Sequence, residues 1–502
     1  MRTDDRTDKS WSSIVRFYLI LAVIFSWQMV FPQPDSLWMK TFRGPYEDYA
    51  YSVKQTSDGG FVLAGKRQRT LSGPTDVWYI KTNSVGDTVW THIVGGGNSD
   101  GVFAISQTSD GGYALSGLWG IDQGKPLLMK TDPGGTIEWL EYYAQQEFYP
   151  SEALDFTAYQ QGGGYVLVGR QGTNNNNEDA FILHVDGVGD TVWSKIYGGQ
   201  YFDRANSVIE TSDGGIAVVG FKGYAYQTSN PDVWLLRLDI NGDTLWTRTY
   251  GTVVDAEVGK CIRQTMDGGF IITGYKGVFG ENNLSDLYLI RTDANGDTLW
   301  TKVYDDPIKS LKGYAVRQTA DGGFVVCGYI DFPEDVFVMK VDASGNQVWQ
   351  RVFNSPYEAR AYDIEITSDN GYILAGVWSQ SATSTSADMF LMRMEPDQSV
   401  GIGDLPNAIP KSIELIGNYP NPFNPETRIE FSLTESSVIR LEIFDLAGKK
   451  VKTLVNGKRA AGPHSIVWNG TNQSGQLVGS GVYLYRLSSG YVSHTRKMLL
   501  LK

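Results

Sequence analysis

The chain has 502 residues, more than one ordinary hydrophobic core accommodates, so more than one domain is expected. Glycine occurs 57 times, aromatic residues make up 13% and charged residues only 20%, a composition typical of all-β proteins with many tight turns. The formal net charge of −13 argues against nucleic acid as a partner, because phosphate would be repelled.

The N-terminus carries a targeting pattern. Arg16 precedes the apolar residues 17–27, and polar residues 33–36 follow them. At roughly 1.5 Å per residue, this run is too short to cross a bilayer comfortably. We therefore interpret residues 1–34 as a signal peptide and leader, with cleavage near residues 27–34. The small-x-small cleavage pattern is missing, so a retained anchor is the alternative.

A segment that ends in tryptophan recurs along three quarters of the chain, and residues 286–300 (DLYLIRTDANGDTLW) are its clearest copy. The tryptophans lie 49 to 54 residues apart and are Trp38, Trp90, Trp139, Trp193, Trp246, Trp300 and Trp349. A glycine-rich turn follows each of them after 20 to 23 residues, at 58–60, 110–112, 162–164, 213–215, 267–269, 321–323 and 369–371. Seven repeats of this period indicate a solenoid or a propeller.

Each repeat reads as four short strands, which in the sixth repeat cover residues 313–319, 324–328, 335–342 and 347–353. After the seventh repeat no tryptophan-bearing fourth strand follows, whereas residues 37–42 precede the first repeat without a partner. A ring whose N-terminal strand completes the last blade explains both ends and leaves no open edge. The sequence therefore predicts a seven-bladed β-propeller over residues 35–394, in which the tryptophans dock each blade on its neighbour.

The loops that enter each repeat, and those between its second and third strands, should share one face of the ring. They vary in length and sequence, and variable loops on a rigid scaffold are where binding usually resides. Aromatic side chains there could stack on sugar rings or on a protein partner, or could simply pack beneath the loops. The candidate ligand-binding residues are Tyr46, Tyr49, Phe148, Tyr149, Tyr201, Phe202, Tyr224, Tyr226 and Tyr357.

Residues 239–243 and 293–297 resemble the first half of a calcium loop, with oxygen ligands at alternate positions. The second half is absent, and a hairpin turn explains the same residues, so no metal site is predicted. The segment DANGDTLW also resembles the tryptophan-docking motif of quinoprotein dehydrogenase propellers. That family would require eight motifs and usually adjacent cysteines, whereas Cys261 and Cys327 lie in different repeats. We expect no cofactor, and both cysteines are expected to be small buried side chains.

The four histidines are scattered, and neither of the two in the propeller lies beside a serine or cysteine motif. No catalytic residues are therefore predicted. Residues 35–394 carry 27 basic and 44 acidic side chains, a net charge of −17. Two functions stay open: a binding protein that recognises a glycan or a protein, which we favour, and a hydrolase or lyase with paired carboxylates at the channel mouth.

After Met394 the composition changes. Residues 395–412 are rich in proline, glycine and aspartate and are expected to form a linker. Residues 413–502, with 11 basic and 6 acidic side chains, contain about seven short alternating strands that predict an immunoglobulin-like β-sandwich. The expected fold class is thus all-β, with a propeller followed by a sandwich.

Residues 413–502 closely resemble the type A sorting domain of the bacterial type IX secretion system, which has a FlgD-like immunoglobulin fold. The resemblance depends on the segments IFDLAGKKV, GVYLYRL and KMLLLK and on one motif, Asn418, Tyr419, Pro420, Asn421, Pro422, Phe423, Asn424 and Pro425. It implies export across the inner membrane, recognition by an outer-membrane translocon, and a secreted or surface location in a Gram-negative bacterium. A spacer domain without targeting function is the alternative.

Overall fold

The computed structural model describes residues 36–501 except 121–123, 144–150, 173–176, 226–229, 278–283, 307–308, 332–333, 380–386, 398–412, 434–435, 446–448 and 490–491. The signal-peptide prediction lies outside these residues, as do the candidates Phe148, Tyr149 and Tyr226. The described segments are built from strands and turns. Within them no helix is long and apolar enough to span a membrane.

Seven four-stranded antiparallel sheets form the blades of a propeller. The chain enters through β1 (Ser36–Phe42). From the inner to the outer strand, blade 1 contains β2 (Asp48–Gln55), β3 (Phe61–Gln68), β4 (Thr75–Thr82) and β5 (Thr88–Val94). Blade 2 contains β6 (Asp100–Gln107), β7 (Tyr113–Trp119), β8 (Lys125–Thr131) and β9 (Ile137–Tyr142). Blade 3 contains β10 (Ser151–Ala158), β11 (Tyr165–Gly172), β12 (Glu178–Val185) and β13 (Thr191–Tyr197).

The remaining blades have the same order of strands. Blade 4 contains β14 (Phe202–Glu210), β15 (Ile216–Tyr224), β16 (Asp232–Leu238) and β17 (Thr244–Tyr250). Blade 5 contains β18 (Ala256–Gln264), β19 (Phe270–Gly277), β20 (Ser285–Thr292) and β21 (Thr298–Tyr304). Blade 6 contains β22 (Leu311–Gln318), β23 (Phe324–Ile330), β24 (Asp335–Val341) and β25 (Gln347–Phe353). Blade 7 contains β26 (Ala359–Ile366), β27 (Tyr372–Ser379), β28 (Ala387–Met394) and β1.

The apolar pattern of each strand follows its position in the blade. In β4 every residue after Thr75 is buried, because the middle strands are covered by neighbouring blades on both faces. In the outer strand β5, exposed and half-buried residues alternate, and Trp90 lies on the half-buried side. Continuous apolar runs in the middle strands and alternation in the outer strand are therefore what the blade architecture requires.

The ring closes between blade 7 and blade 1. Strand β1 pairs antiparallel with β28, with Trp38 opposite Arg393. At this junction the amide of Ser368 donates to Oε1 of Gln55 at 2.7 Å, and at the junction of blades 1 and 2 the amide of Ser57 donates to Oε1 of Gln107 at 2.8 Å. The closing junction therefore uses the same contact as an ordinary one. The predicted seven-bladed propeller with its N-terminal closing strand is confirmed.

Tryptophans of the outer strands lie against turns of the next blade. A Cβ atom on Gly296, which has φ 78°, would come within 2.8 Å of the Trp246 ring, so this close approach requires glycine. The Tyr250 hydroxyl donates to the Gly296 carbonyl at 2.6 Å. The same approach recurs in the pairs Trp38–Gly86, Trp90–Gly135, Trp139–Gly189, Trp193–Gly242 and Trp300–Gly345. Trp349 instead donates its indole N–H to Oδ1 of Asp397, at 3.0 Å, where the chain leaves the propeller.

Six blades contain an ion pair that the sequence analysis missed. Each aspartate of a glycine-rich turn pairs with a buried Lys or Arg of the third strand, in the pairs Asp58–Lys81, Asp110–Lys130, Asp213–Arg237, Asp267–Arg291, Asp321–Lys340 and Asp369–Arg393. In blade 3 both positions change together, to Gly162 and His184, and Nε2 of His184 contacts the Gly163 carbonyl at 2.8 Å. A basic residue 19 to 24 positions after each aspartate was the available signal.

The C-terminal residues form a two-layer sandwich. One sheet has the order β29 (Ile413–Tyr419), β30 (Thr427–Leu433) and β33 (Gly462–Trp468). The other has the order β32 (Lys450–Arg459), β31 (Ser437–Phe444), β34 (Gly481–Ser489) and β35 (Val492–Leu500). Trp468, Phe431 and Leu441 are buried between the layers. The predicted immunoglobulin-like sandwich is confirmed, although β29 extends into the proline-rich motif.

Candidate binding site

One face of the ring carries the two kinds of loop on which binding was predicted. The amide of Thr75, which begins a third strand, donates to Oγ of Ser99 in the loop that enters blade 2, at 3.1 Å. The amide of Ser285 makes the equivalent bond to Oγ of Ser310, at 3.1 Å. Loops between the second and third strands thus lie beside loops that enter the next blade. We call this face the upper face.

The predicted aromatic residues are divided between loops and strands. Tyr46, Tyr201 and Tyr357 lie in upper-face loops, and Tyr201 and Tyr357 are 42% and 45% exposed. Tyr49, Phe202 and Tyr224 belong to strands β2, β14 and β15 instead. The rings of Phe202 and Tyr224 contact each other with centroids 5.8 Å apart, so these two pack together within blade 4.

A continuous row of rings lies along the inner strands of four blades at the upper end of the central channel. Tyr51 of β2 contacts Phe103 of β6 and Tyr362 of β26, with ring centroids 5.2 and 5.1 Å apart. Tyr362 in turn contacts Tyr314 of β22 at 5.2 Å. These inner-strand side chains come from four blades and are half-buried. We call this region, with the second-strand residues that touch it, the channel mouth.

Cations approach the rings of second-strand tyrosines and of Tyr49 at the mouth. Nζ of Lys312 lies 5.7 Å from the ring centre of Tyr275 and 5.6 Å from that of Tyr329, which Arg360 also approaches at 5.0 Å. Nζ of Lys66 lies 4.8 Å from the ring centre of Tyr49. Cation–π contacts of this length are attractive, and they become stronger as water is removed.

The opposite side of the mouth is built from charged pairs. Arg170 bonds Glu152 and Glu178, and Nη2 of Arg204 donates to Oε2 of Glu178 at 2.7 Å. The Nε atom of Arg204 is buried and has no hydrogen-bond partner within the described part of the chain. The mouth is thus asymmetric, with rings and cations on blades 5, 6, 7 and 1, one further ring on blade 2, and Arg–Glu pairs on blades 3 and 4.

Sequence reasoning found Tyr49 but missed the other mouth residues. The equivalent position on the seven inner strands is occupied by Tyr51, Phe103, Leu154, Asn206, Lys260, Tyr314 and Tyr362. This position lies inside a strand, whereas the search for candidates was confined to loops. An alignment of the repeats on their glycine-rich turns would have shown that this column changes from ring to cation.

An ionic network joins the inner strands of blades 6, 7 and 1 below the mouth. Nη2 of Arg317 donates to Oδ1 of Asp363 at 2.8 Å, and its Nε donates to Oε2 of Glu365 at 3.0 Å. Lys54 contacts both of these carboxylates. Burial opposes ionisation of Glu365, but Arg317 and Lys54 hold the pKa of that carboxyl well below its usual range. We call Lys54, Arg317, Asp363 and Glu365 the ion cluster.

Two aspartates of the channel also hold the inner strands together. Oδ2 of Asp363 accepts the amide of Val53 at 3.1 Å, and Oδ2 of Asp155 accepts the amide of Val208 at 3.1 Å. Each bond runs from one blade to the inner strand of the next, at the second residue after the β-bulge of that strand. These contacts indicate a structural role for both carboxylates.

Replacement of Arg317 by methionine is expected to lower the free energy of unfolding by about 3–5 kcal/mol, because it leaves buried carboxylates without their main partner. The deficit should shrink as the pH falls towards 4, where Glu365 of the variant becomes protonated. Chemical denaturation at pH 7.5 and pH 4.5 measures both effects. Arg248→Met is the matched control, because its 3.5 Å pair with Asp297 is exposed and should contribute at most about 1 kcal/mol. Equal losses in the two variants would contradict the account.

The upper-face carboxylate of Asp48, at a blade junction, makes the stability of the fold depend on pH. Burial raises the pKa of Asp48 to about 7, and neighbouring Asp388 acts in the same direction, while the Gly44 amide and Arg67 oppose the rise. Oδ1 of Asp48 has no hydrogen-bond partner within the described ranges. Because the folded pKa exceeds the unfolded one, ionised Asp48 opposes folding above pH 7 and protonation relieves this as the pH falls towards 4.

We therefore expect the melting temperature of the native protein to increase as the pH is lowered from 8 to 5. Asp48→Asn should have a higher melting temperature than the native protein at pH 8, and its increase between pH 8 and pH 5 should be smaller. The asparagine oxygen can still accept the Gly44 amide. Thermal unfolding monitored by circular dichroism across this pH range is the measurement. Asp87→Asn serves as the control, because Asp87 is exposed and pairs with Lys40 at 2.9 Å. A lower melting temperature of Asp48→Asn at pH 8 would show that the carboxylate stabilises the fold.

Aspartates of the hairpin turns bond their own backbone. Oδ1 of Asp293 accepts the amides of Asn295 and Asp297, both at 2.9 Å, and Gly296 supplies the positive φ of the turn. The half calcium loop recognised in the sequence therefore serves as a turn. Both cysteines are buried, as predicted.

The proline-rich motif joins the two ends of the C-terminal sandwich. Phe423 is buried against Trp468, and its amide donates to the Leu499 carbonyl at 3.0 Å. Oδ1 of Asn421 accepts the Leu499 amide at 2.9 Å. Tyr419 is 81% exposed. Part of the motif thus fixes the last strand in place, and part of it faces solvent.

Comparison with known families identifies the C-terminal part of the chain. Residues 421–491 match the family model of the FlgD Ig-like domain. This match supports an immunoglobulin-like C-terminal domain. No curated protein matches the chain.

Several solved structures resemble the chain at low identity. PorZ, a bacterial surface component of the type IX secretion system of Porphyromonas gingivalis, is 12% identical over 92% of this chain with a TM-score of 0.44, and this chain spans 60% of its length. A fungal alcohol oxidase of the AA5 family in complex with copper is 11% identical over 93% of this chain and 99% of its own, with a TM-score of 0.46. The BP39L lectin from Burkholderia pseudomallei is 9% identical over 69% and 98%, with a TM-score of 0.42. At these values the likenesses carry no argument about function.

Proposed function

We propose that the chain is an exported binding protein whose propeller holds a glycan or protein ligand at the channel mouth. The observation that carries this proposal is the mouth itself, where the half-buried rings of Tyr51, Tyr314 and Tyr362 form a row and Lys260 approaches Tyr314. Convergent aromatic and charged side chains in a recess are the usual composition of a binding site. Tyr46, Tyr201 and Tyr357 on the surrounding loops extend the aromatic surface.

The ion cluster limits where a ligand can lie. In this proposal a ligand that enters from the upper face rests on the mouth, above the paired side chains of Lys54, Arg317 and Glu365. The same contacts reduce support for a hydrolase or lyase with paired carboxylates. The channel carboxylates Asp155 and Asp363 bond neighbouring blades, a role that leaves them committed to the fold.

The C-terminal domain supplies the second half of the proposal. In our account it is the export signal that the sequence resemblance implies, read by an outer-membrane translocon, and the mature protein is secreted or displayed at the cell surface. Its net charge is +5, against −17 for the propeller, so the two parts differ in charge as well as in fold. The family match to the FlgD Ig-like domain supports the fold on which this role depends.

Binding is tested with the purified protein on a glycan array and in pull-downs from bacterial culture medium. We expect the protein to retain a defined glycan or protein. Substitutions in the mouth should abolish this retention, whereas substitutions in the outer strands should leave it unchanged. Turnover of a polysaccharide or peptide without retention of any ligand would favour the enzymatic alternative and end the binding proposal.

A further inference from the structure

Lys260 and Lys312, from neighbouring blades, approach the same tyrosine ring of the mouth, and Arg204 belongs to the blade before them. Nζ of Lys260 on β18 lies 5.9 Å from the ring centre of Tyr275 and 5.7 Å from that of Tyr314. Nζ of Lys312 on β22 lies 5.7 Å from the same Tyr275 ring. Arg204 on β14 is close enough to act electrostatically on both Lys260 and Tyr275. Positive charge is thus concentrated around Tyr275.

This positive charge is incompletely neutralised by the protein. Among the described residues no carboxylate pairs with Lys260, and the nearest carboxylate oxygen to Lys312 is 3.9 Å away, on Asp331. Arg204 pairs with Glu178, but its Nε has no partner in the described part of the chain. Burial lowers the pKa of Lys260 to about 8, and Arg204 and Lys312 act in the same direction, while Glu152 opposes them. An anion would relieve this repulsion.

Building on the proposed binding function, we propose that Arg204, Lys260 and Lys312 bind the acidic group of an oligosaccharide that ends in an acidic sugar. Ammonium and guanidinium groups form strong charge-assisted hydrogen bonds with carboxylates. The tyrosines beside them offer hydroxyls that can donate to and accept from sugar hydroxyls, and ring faces that can cover a sugar ring.

The negative net charge of the propeller favours a ligand with a single acidic group over a polyanion. Residues 35–394 have a net charge of −17, so a polyanion would be repelled everywhere except at this point. One acidic group on an otherwise neutral chain places its charge at the cations and leaves the rest of the ligand free of repulsion. The half-buried position of Lys260 and Lys312 fits a terminal group better than an internal one.

The test measures binding of paired oligosaccharides that differ only in an acidic or a neutral terminal sugar, by array and by isothermal titration at pH 7. We expect the acidic member to bind about tenfold more tightly or better, and Lys260→Met to abolish this preference. Lys302→Met is the matched control, because Lys302 lies on the outermost strand of the same blade and should leave the preference unchanged. Lys312→Met is a second variant of the site.

Two further readouts separate ligand binding from packing. Without ligand, Lys260→Met should melt at a higher temperature than the native protein, because a charge opposed by burial and by two cations is removed; a packing role would lower it. The preference for the acidic sugar should decline as the pH rises above about 8, since Lys260 then loses its proton. Glu152, Arg204, Lys312, Tyr275 and Tyr314 face Lys260, and burial raises the pKa of both tyrosines, so neither ionises in this range.

Each outcome has one meaning. Equal binding of acidic and neutral members, or an unchanged preference in Lys260→Met, overturns the anion site and leaves the proposed binding function intact. Tighter binding of a peptide with a free terminal carboxylate than of any acidic sugar overturns the choice of a saccharide. If no glycan and no protein is retained under any condition, the proposed function fails together with this inference.

Discussion

Deletion of residues 413–502 is expected to leave the propeller folded in the periplasm and to abolish its appearance at the cell surface and in the medium. The deletion removes strands β29–β35, whose core is separate from the blades. The N-terminal leader is retained, so passage across the inner membrane should continue. Cell fractionation with immunodetection in a bacterium that possesses the type IX machinery measures the distribution, and limited proteolysis confirms the folded propeller.

A fusion provides the control for this deletion. Residues 413–502 attached to an unrelated reporter with its own signal peptide should bring that reporter to the surface or the medium, whereas the reporter alone stays periplasmic. A Phe423→Ala fusion should fail, because Phe423 packs against Trp468 and bonds the last strand. If the truncated protein still reaches the surface, or the fused reporter stays in the periplasm, the domain is a spacer.

Deletion of residues 35–44 is expected to destabilise the propeller by several kcal/mol and to promote aggregation. It removes the pairing of β1 with β28 and the edge contact of Trp38 with Phe61, whose centroids are 6.0 Å apart. At about 0.5–1.5 kcal/mol for each hydrogen bond lost, the ladder alone accounts for several kcal/mol. The newly exposed edge of β28 would then be free to pair with another chain.

Thermal unfolding and light scattering measure this loss. Trp38→Ala is a milder variant that keeps the strand and removes the contact with Phe61 and Gly86, so it should fall between the native protein and the deletion. A synthetic peptide of residues 35–44, added in excess, should restore part of the melting temperature that the deletion variant has lost. An unchanged melting curve for the deletion would contradict ring closure by β1.

Repetition made the propeller predictable from the sequence. Trp300 and its counterparts occur at a spacing that a blade of four short strands requires, and the unmatched strand at residues 37–42 showed how the ring closes. Both features are local patterns of apolar residues and turns, which a single chain displays directly. The pairing of Trp38 with Arg393 joins the two ends of the propeller as this reasoning predicted.

The mouth and the ion cluster were not predictable in the same way. Asp363 bonds Val53 across more than 300 residues of sequence, and the ring of Tyr51 touches that of Tyr362 only because the ring is closed. Within the repeat, these positions show no fixed residue type, so the pattern that identifies strands says nothing about them. The aromatic loop residues were found from their composition, but Phe202 and Tyr224 pack on each other.

A crystal structure of the protein with the acidic-ended oligosaccharide that binds most tightly is the most direct test of the central claim that ligand is held at the channel mouth. The account predicts a sugar ring over Tyr275 or Tyr314, with its acidic group about 3 Å from Nζ of Lys260. An oligosaccharide bound on the outer strands or on the C-terminal domain, with the channel mouth unchanged, would contradict it.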